Sequence, residues 1–224
     1  MMLDNMPVAK NYRCEKAALN YDKDHINNWR GATITILDKW AIDRSLSEIK
    51  NIITLLDVPC GTGRVLKLAS KHAENIIGSD ISCQMLDVAK NKKIYGAKGY
   101  VNSDIFNYSF KSNSIDVIIS NRFYTHLPKE SKKTALKNMA QITKRYLIIE
   151  EGIPGFIARL RWKIENILGL AKTLTPWHTS TWEYINECAK EADLKVIKII
   201  PRLPLLLDTY LIVFEKITTN ESNH

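Results

Sequence analysis

The sequence predicts a doubly wound α/β fold: a mostly parallel, seven-stranded sheet, covered by helices on both faces and closed by an antiparallel hairpin. Three observations carry this. From residue 52 onward, short apolar runs rich in branched residues alternate with segments of helical spacing, the pattern of successive βαβ units. The first run, ITLLDV (53–58), leads directly into a glycine-containing turn, PCGTGR. The last two runs, KVIKII (195–200) and YLIVFEK (210–216), are separated only by PRLPLLLDT, too short for a crossover helix, so they pair antiparallel.

The elements follow in order. After the first strand, VLKLASKHA (65–73) has helical spacing. NIIGSD (75–80) is the second strand, and SCQMLDVAKNKK (82–93) a helix with Ser82 placed to cap it. GYVNSDI (99–105) reads as the third strand, ending at Asp104, and IDVIISN (115–121) as the fourth. A helix over 129–142, a fifth strand RYLIIEE (145–151) and a helix over 180–194 precede the hairpin. Residues 1–50 show irregular helical spacing and no strand alternation. The expected organisation is an N-terminal helical cap (1–50), a core (51–217) with an inserted segment (152–178), and a frayed tail (218–224).

Composition excludes several classes. In a chain of 224 residues, 45% hydrophobic and 25% charged, no apolar stretch approaches 20 residues, so no membrane-spanning helix is expected. The N-terminus lacks the apolar core of a secretory signal. Cys14, Cys60, Cys83 and Cys188 form no CxxC pair and no iron–sulfur spacing, so no metal site is expected and a reduced, cytoplasmic protein is the economical reading. The net charge of +8 admits an anionic partner. Its lysines, however, are dispersed (90–93, 129–133, 195–198), the pattern of solvated helix faces, and nucleic acid is not the favoured partner.

The turn after the first strand lies where doubly wound folds bind ligands. Gly61 and Gly63 permit close backbone approach and offer amides at a helix start. A dinucleotide fingerprint starting at Gly61 requires glycine at 66, where Leu66 stands, and no Gly-Lys-Ser/Thr follows. The turn therefore suits a nucleoside-like ligand without a phosphate chain. Asp57, Asp80 and Asp104 close three successive strands. Three carboxylates there disfavour a pyrophosphate and suit a ligand bearing a sulfonium and an ammonium.

LLDVPCGTGR, GSDISCQMLDVA, SDIF and IDVIISNRFYTHL together resemble a class I S-adenosylmethionine-dependent methyltransferase, closest in texture to the small-molecule branch called type 11. The resemblance covers residues 52–150 and, less fully, the last helix and hairpin. It implies S-adenosylmethionine as cofactor, leaving S-adenosylhomocysteine. Asp57, Gly61 and Gly63 would surround the methionine moiety and Asp80 would hold the ribose. Asp104 would meet the adenine, packed by Met85 or Ile81, with Ile105 and Asn121 completing the set. Tyr21-Asp22 and Arg30-Gly31 are similar to an element that covers the cofactor in relatives, Arg30 meeting its carboxylate or simply standing exposed. Pro59 departs from the family's first loop glycine. Proline fixes φ and removes an amide, leaving close approach to Gly61 and Gly63.

The acceptor side is read from SNRFYTHLPK (120–129). It lacks the Asn/Asp-Pro-Pro-aromatic string of base-methylating relatives. His126 is a candidate base or orienting group, or else a helix-capping histidine. Arg122 is a candidate for binding an acidic acceptor or for anchoring Glu150. His178 is the rival base. Glu150 and Glu151 either attract a cationic acceptor or pair with neighbouring cations. In the inserted segment, Ile157, Leu160, Ile164, Ile167, Leu168 and Ala171 share one helical arc while Arg159, Lys163 and Asn166 point away. That describes a lid, a packed core helix, a dimer helix or, with Trp162, a membrane-surface helix. The expected activity is methylation of an O or N atom on a small amphiphilic or aromatic acceptor by a monomer or homodimer. The alternatives are RNA or protein methylation, and a cofactor-binding subunit without catalysis. Nicotinamide-dependent chemistry is the weakest rival.

Overall fold

The structure, a computed structural model, describes residues 29–155, 163, 164, 167, 179–203 and 207–217. Its elements are α1 (Trp29–Leu46), β1 (Ile52–Asp57), α2 (Arg64–Ala69), β2 (Ala73–Asp80), α3 (Cys83–Asn91) and β3 (Ala97–Asn102), then β4 (Ile115–Ser120), a 3₁₀ turn (Tyr124–His126), α4 (Lys129–Ile142), β5 (Thr143–Gly152), α5 (Trp182–Glu191), β6 (Leu194–Leu203) and β7 (Leu207–Lys216). The seven strands are ordered β3-β2-β1-β4-β5-β7-β6. β1 to β5 pair parallel, and β7 inserts antiparallel between β5 and β6. The order reverses between β1 and β4, which opens a crevice at their carboxyl ends.

Period-2 alternation divides the core into two layers. Leu56, Ile118, Leu147, Ile149, Ile212 and Phe214 face α4 and α5, meeting Leu136, Met139, Ile185 and Cys188. Their neighbours Leu55, Val117, Ile119, Ile148, Leu211 and Val213 face the other way, against Ala41 and Ile42 of α1, Leu66 of α2 and Leu86 of α3. Every residue of β4 is buried, as expected for the central strand of a covered sheet. α1 thus belongs to the core layers, packing on α2, β6 and β7.

Boundaries moved in three places. The helix expected over 65–73 stops at Ala69, and β2 already begins at Ala73. β3 ends at Asn102, two residues short of Asp104, because the chain turns there and Asp104 closes a small bridge with Asn107. β6 and β7 run deep into PRLPLLLDT, so only residues 204–206 separate them. Ser82 caps α3, accepting the Met85 amide at 3.3 Å.

Within the inserted segment, Lys163, Ile164 and Ile167 are helical. Ile164 and Ile167, two of the residues on the shared apolar arc, are exposed. Most of 152–178, residues 1–28 and the tail 218–224 lie outside the described residues. Among the described residues no helix is long and apolar enough to cross a membrane, and no cluster of potential metal ligands occurs. Cys60, Cys83 and Cys188 are free thiols.

Candidate functional site

The turn after β1 is held from its neighbours. Val58 N–H donates to Ile119 O at 3.0 Å and Cys60 N–H to Ser79 O at 2.8 Å, so the loop is bonded to both β4 and β2. The Val58–Pro59 peptide is cis, and the left-handed residues of the loop are Gly61 (φ 51°) and Gly63 (φ 83°). The two glycines do different work. A side chain at Gly63 would meet Ile94 Cδ1 at 2.7 Å and Ala89 Cβ at 3.2 Å, so this position exists for packing against α3. Nothing lies within 4 Å of a side chain built on Gly61, which leaves its Cα face open to a ligand.

The amides of the loop are not presented outward as expected. Gly61 N–H donates to Asp80 Oδ2 at 2.8 Å, and Gly63 N–H to Cys60 O at 2.9 Å. Asp80 also accepts the Ser82 amide on Oδ1 at 2.9 Å, so one carboxylate at the end of β2 organises loops on both sides of it. Burial raises the Asp80 carboxyl above its ordinary range, opposed by the Ser82 and Gly61 amides. Asn102, which the sequence did not single out, donates its side-chain amide to Asp80 O and Ile81 O at 3.0 and 2.9 Å, fixing the chain just past the end of β2.

Asp57 is different. It is fully buried, and neither carboxylate oxygen has a hydrogen-bond partner. Burial, reinforced by the Asp80 charge, holds its carboxyl well above the usual range, with Arg64 and the Leu66 amide pulling weakly the other way. Buried polar groups are almost always satisfied, so an orphaned carboxyl at the end of β1, where the loop begins, marks a place for a donor, preferably a cation. The donor set therefore fits a ligand with an ammonium or sulfonium end, and leaves no anion-binding cradle for a pyrophosphate.

Of the remaining predicted cofactor residues, those described follow the carboxyl ends of β2 and β3 in the chain. Ile81 is partly exposed, Met85 is buried and Ile105 is buried. Asp104 spends Oδ1 on the Phe106 amide at 2.9 Å, stabilising its own turn. Arg30 lies in the first turn of α1, and its side chain, like Tyr21 and His178, lies outside what the structure describes.

Beyond β4 the sequence foresaw single residues where the structure builds a network. Asn121 Oδ1 accepts from Arg202 at 2.9 Å. Arg202 also pairs with Asp38 at 2.6 Å and Glu150 at 2.8 Å, and Asp38 pairs with Arg122 at 2.8 Å. The Arg122 amide donates to Glu150 Oε2 at 2.6 Å, with Arg122 in the left-handed region at φ 56°. Four buried or nearly buried charges from α1, the β4 loop, β5 and β6 thus neutralise one another. Arg122 is placed as an anchor, its guanidinium engaged by α1. Asp38 and Arg202 went unforeseen, although Asp38 falls at i−4 from Ile42 on an inward helix face and Arg202 interrupts an apolar run.

Glu151 faces the opposite layer. It pairs with Lys132 of α4 at 2.6 Å, both fully buried, and Lys132 reaches Ser180 Oγ at 3.1 Å. Glu151 Oε1 also accepts the Gly152 amide at 2.7 Å, and Ser180 N–H donates to Gly152 O at 3.0 Å. Burial pulls Lys132 down and pushes Glu151 up, each partly restored by the other. His126 is exposed on the 3₁₀ turn. Past the end of β5, Ile153, Pro154 and Gly155 face Thr181, Trp182, Glu183 and Tyr210 across a cleft of about 300 Å³, where Trp182 and Tyr210 meet edge to face with centroids 5.4 Å apart.

Comparison with known proteins agrees with this geometry. Residues 55–145 match a family described as a methyltransferase domain. The uncharacterized protein MJ1252 of Methanocaldococcus jannaschii is 33% identical over 169 residues, 74% of this chain, and the chain spans 58% of that relative's length. Among solved structures, magnesium protoporphyrin IX methyltransferase from Synechocystis PCC 6803, with bound S-adenosylhomocysteine, superposes with a TM-score of 0.69 at 17% identity, covering 85% of this chain and 88% of that one. A complex of the Haloferax volcanii Trm112 methyltransferase activator with a methyltransferase gives 0.65 at 15% identity, covering 91% and 97%. A Methanosarcina mazei S-adenosylmethionine-dependent methyltransferase gives 0.62 at 18%, covering 76% and 95%. At these identities the structures speak for the fold, and the sequence match over 55–145 speaks for the domain. Residues 55–145 thus match a methyltransferase domain, and the chain around them has the fold of S-adenosylmethionine-dependent methyltransferases of known structure.

Proposed function

We propose that this chain is an S-adenosylmethionine-dependent methyltransferase acting on an O or N atom of a small, amphiphilic or aromatic acceptor. The observation that carries the cofactor reading is the fully buried Asp57 carboxyl, unpartnered on both oxygens, at the strand end that leads into the loop with the open Gly61 face. S-adenosylmethionine, when bound, supplies an activated methyl group on a sulfonium. Asp57 offers a counter-charge to a cationic end, and Asp80 keeps the loop in place while its remaining lone pairs accept hydroxyls.

The acceptor reading rests on the cleft beside Trp182 and Tyr210, half apolar in lining and small in volume, as small-molecule sites are. The protein's work there is positioning and exclusion of water. Glu151 and Lys132 fix the floor of the cleft through Gly152 and Ser180, and Arg122 fixes the β4 loop that carries His126. His126, exposed on that loop, is our candidate to take a proton from an acceptor hydroxyl or ammonium.

Calorimetric titration with S-adenosylhomocysteine, beside NAD and an Asp80→Ala control, tests the cofactor reading. Binding of S-adenosylhomocysteine alone, weakened in the variant, is the expected result. A folded protein that binds NAD, or neither ligand, overturns it.

A further inference from the structure

Asp57 and Asp80 end neighbouring parallel strands, yet the structure treats their carboxylates unequally. Asp80 receives two backbone amides, at 2.8 and 2.9 Å. Asp57 has no exposed surface and no hydrogen bond of ordinary geometry on either oxygen, the Leu66 amide acting on it only as the last of several influences. Its surroundings contain little to hold a negative charge. β4 places Ile119 opposite it in register and β2 places Gly78. The charged groups that face it are Asp80 from β2, which repels, and Arg64 from α2, which attracts, with the Cys60 thiol in the loop between. An ionised carboxylate so poorly supplied with donors, fully buried and beside a second acid, is far costlier than the neutral acid.

We propose that Asp57 is a proton-coupled charge selector, neutral while no cation lies against it and ionised when the ammonium end of the cofactor or its product is seated there. The inference rests on the cofactor reading above and adds a property to it. The balance is simple. The carboxyl O–H bond breaks, its proton goes to solvent, and the ligand's ammonium keeps its own protons. Binding then carries a proton release, and ligands lacking the cation receive no counter-charge from Asp57. The direction of the Asp57 shift, caused first by burial and then by Asp80, agrees with this.

The test is titration calorimetry of the full chain with S-adenosylhomocysteine at about pH 6, in buffers of different ionisation enthalpy, with 5′-methylthioadenosine as the probe that lacks the ammonium. The dependence of the observed heat on buffer should report about one proton released per S-adenosylhomocysteine bound, none for 5′-methylthioadenosine, and none in Asp57→Asn. Binding of S-adenosylhomocysteine with no proton release overturns the proposal and leaves the cofactor reading standing. Absence of binding overturns both. A second arm needs neither ligand nor a folded variant: carbon-13 observation of aspartate carboxyls during a pH titration of the ligand-free protein. A late-titrating Asp57 supports the proposal, and titration in the ordinary carboxylate range overturns it.

Discussion

Asp80 Oδ2 accepts the Gly61 amide at 2.8 Å, across 19 residues of chain. The acid expected to hold a ribose is therefore also the clamp that sets the glycine loop. Because its other oxygen takes the Ser82 amide, loop geometry and helix α3 share one anchor.

Removing that anchor costs twice. Asp80→Ala loses a charged acceptor from the ligand and frees the Gly61 and Ser82 amides. Hydrogen bonds to a charged group contribute about 1.5–3 kcal/mol, so S-adenosylhomocysteine affinity should fall roughly 10- to 150-fold. Asp80→Asn keeps one acceptor oxygen for one amide and should lose less. Calorimetry on both variants measures the difference. Equal affinity in Asp80→Ala and the native protein would remove Asp80 from the site.

Gly61 and Gly63 separate ligand approach from packing. Gly61→Ala adds a methyl to open space, so its cost is the left-handed backbone alone, about 1–2 kcal/mol. Its larger effect should be on S-adenosylhomocysteine binding, because the methyl occupies the approach face. Gly63→Ala carries the same backbone cost and also drives a methyl into Ile94 and Ala89, for about 2–4 kcal/mol in all. Thermal melts and titrations of the pair should therefore rank them oppositely, with Gly61→Ala the better folded and the weaker binder.

The Asp57 carboxyl also predicts a pH dependence of folding. Its folded-state value lies above its unfolded one, so between the two the native state holds a proton that the unfolded chain has lost. Unfolding then releases a proton, and stability falls as pH rises through that window. Asp57→Asn cannot ionise and should flatten the slope, gaining on the native protein toward higher pH in urea titrations. A native protein whose stability instead rises steadily over this window, with the variant running parallel to it, would show that Asp57 ionises normally.

Asp38 and Arg202 join α1 to β6 inside the same buried network that holds Arg122 and Glu150. Arg202→Met leaves Glu150 and Asp38 short of a cation in a buried setting, and breaking such a pair costs about 3–5 kcal/mol. The urea midpoint should drop by that loss divided by the slope, with the slope itself unchanged. Because Arg122 anchors the β4 loop through Asp38, Asp38→Asn should also disturb S-adenosylhomocysteine binding, which a purely structural contact of α1 would leave alone.

What the sequence made legible follows from what sequence encodes locally. Strand alternation, the glycine turn and the Ser82 cap depend on residues close together in the chain, and each appeared where expected. The antiparallel hairpin followed from connection length. Asp104 misled because period-2 texture does not reveal where pairing stops. β3 ends when its neighbour β2 ends at Asp80, and Asp104 then serves its own turn. The ion-pair network stayed invisible because Asp38, Arg122, Glu150 and Arg202 are spread over 165 positions of chain and become neighbours only after the sheet forms. Lys132 was hidden by company. It stands in the basic run KESKK, yet shares an inward face with Leu136 and Met139, and that spacing was the available signal.

That buried lysine yields the sharpest energetic test. Lys132 and Glu151 lie 2.6 Å apart with essentially no exposed surface, and their bonds to Gly152 and Ser180 join the two walls of the cleft. Lys132→Met strands a buried carboxylate and Glu151→Leu strands a buried ammonium, and each should destabilise by about 3–5 kcal/mol. The double variant Lys132→Met/Glu151→Leu removes both charges and should cost much less than the sum, since a packed apolar pair can replace a buried ion pair at little cost. A double-mutant cycle in urea gives the coupling directly. Additive losses would mean that the two charges do not depend on each other. A recovered double variant whose S-adenosylhomocysteine affinity is native would place the pair under the acceptor cleft alone and separate that cleft from the cofactor site.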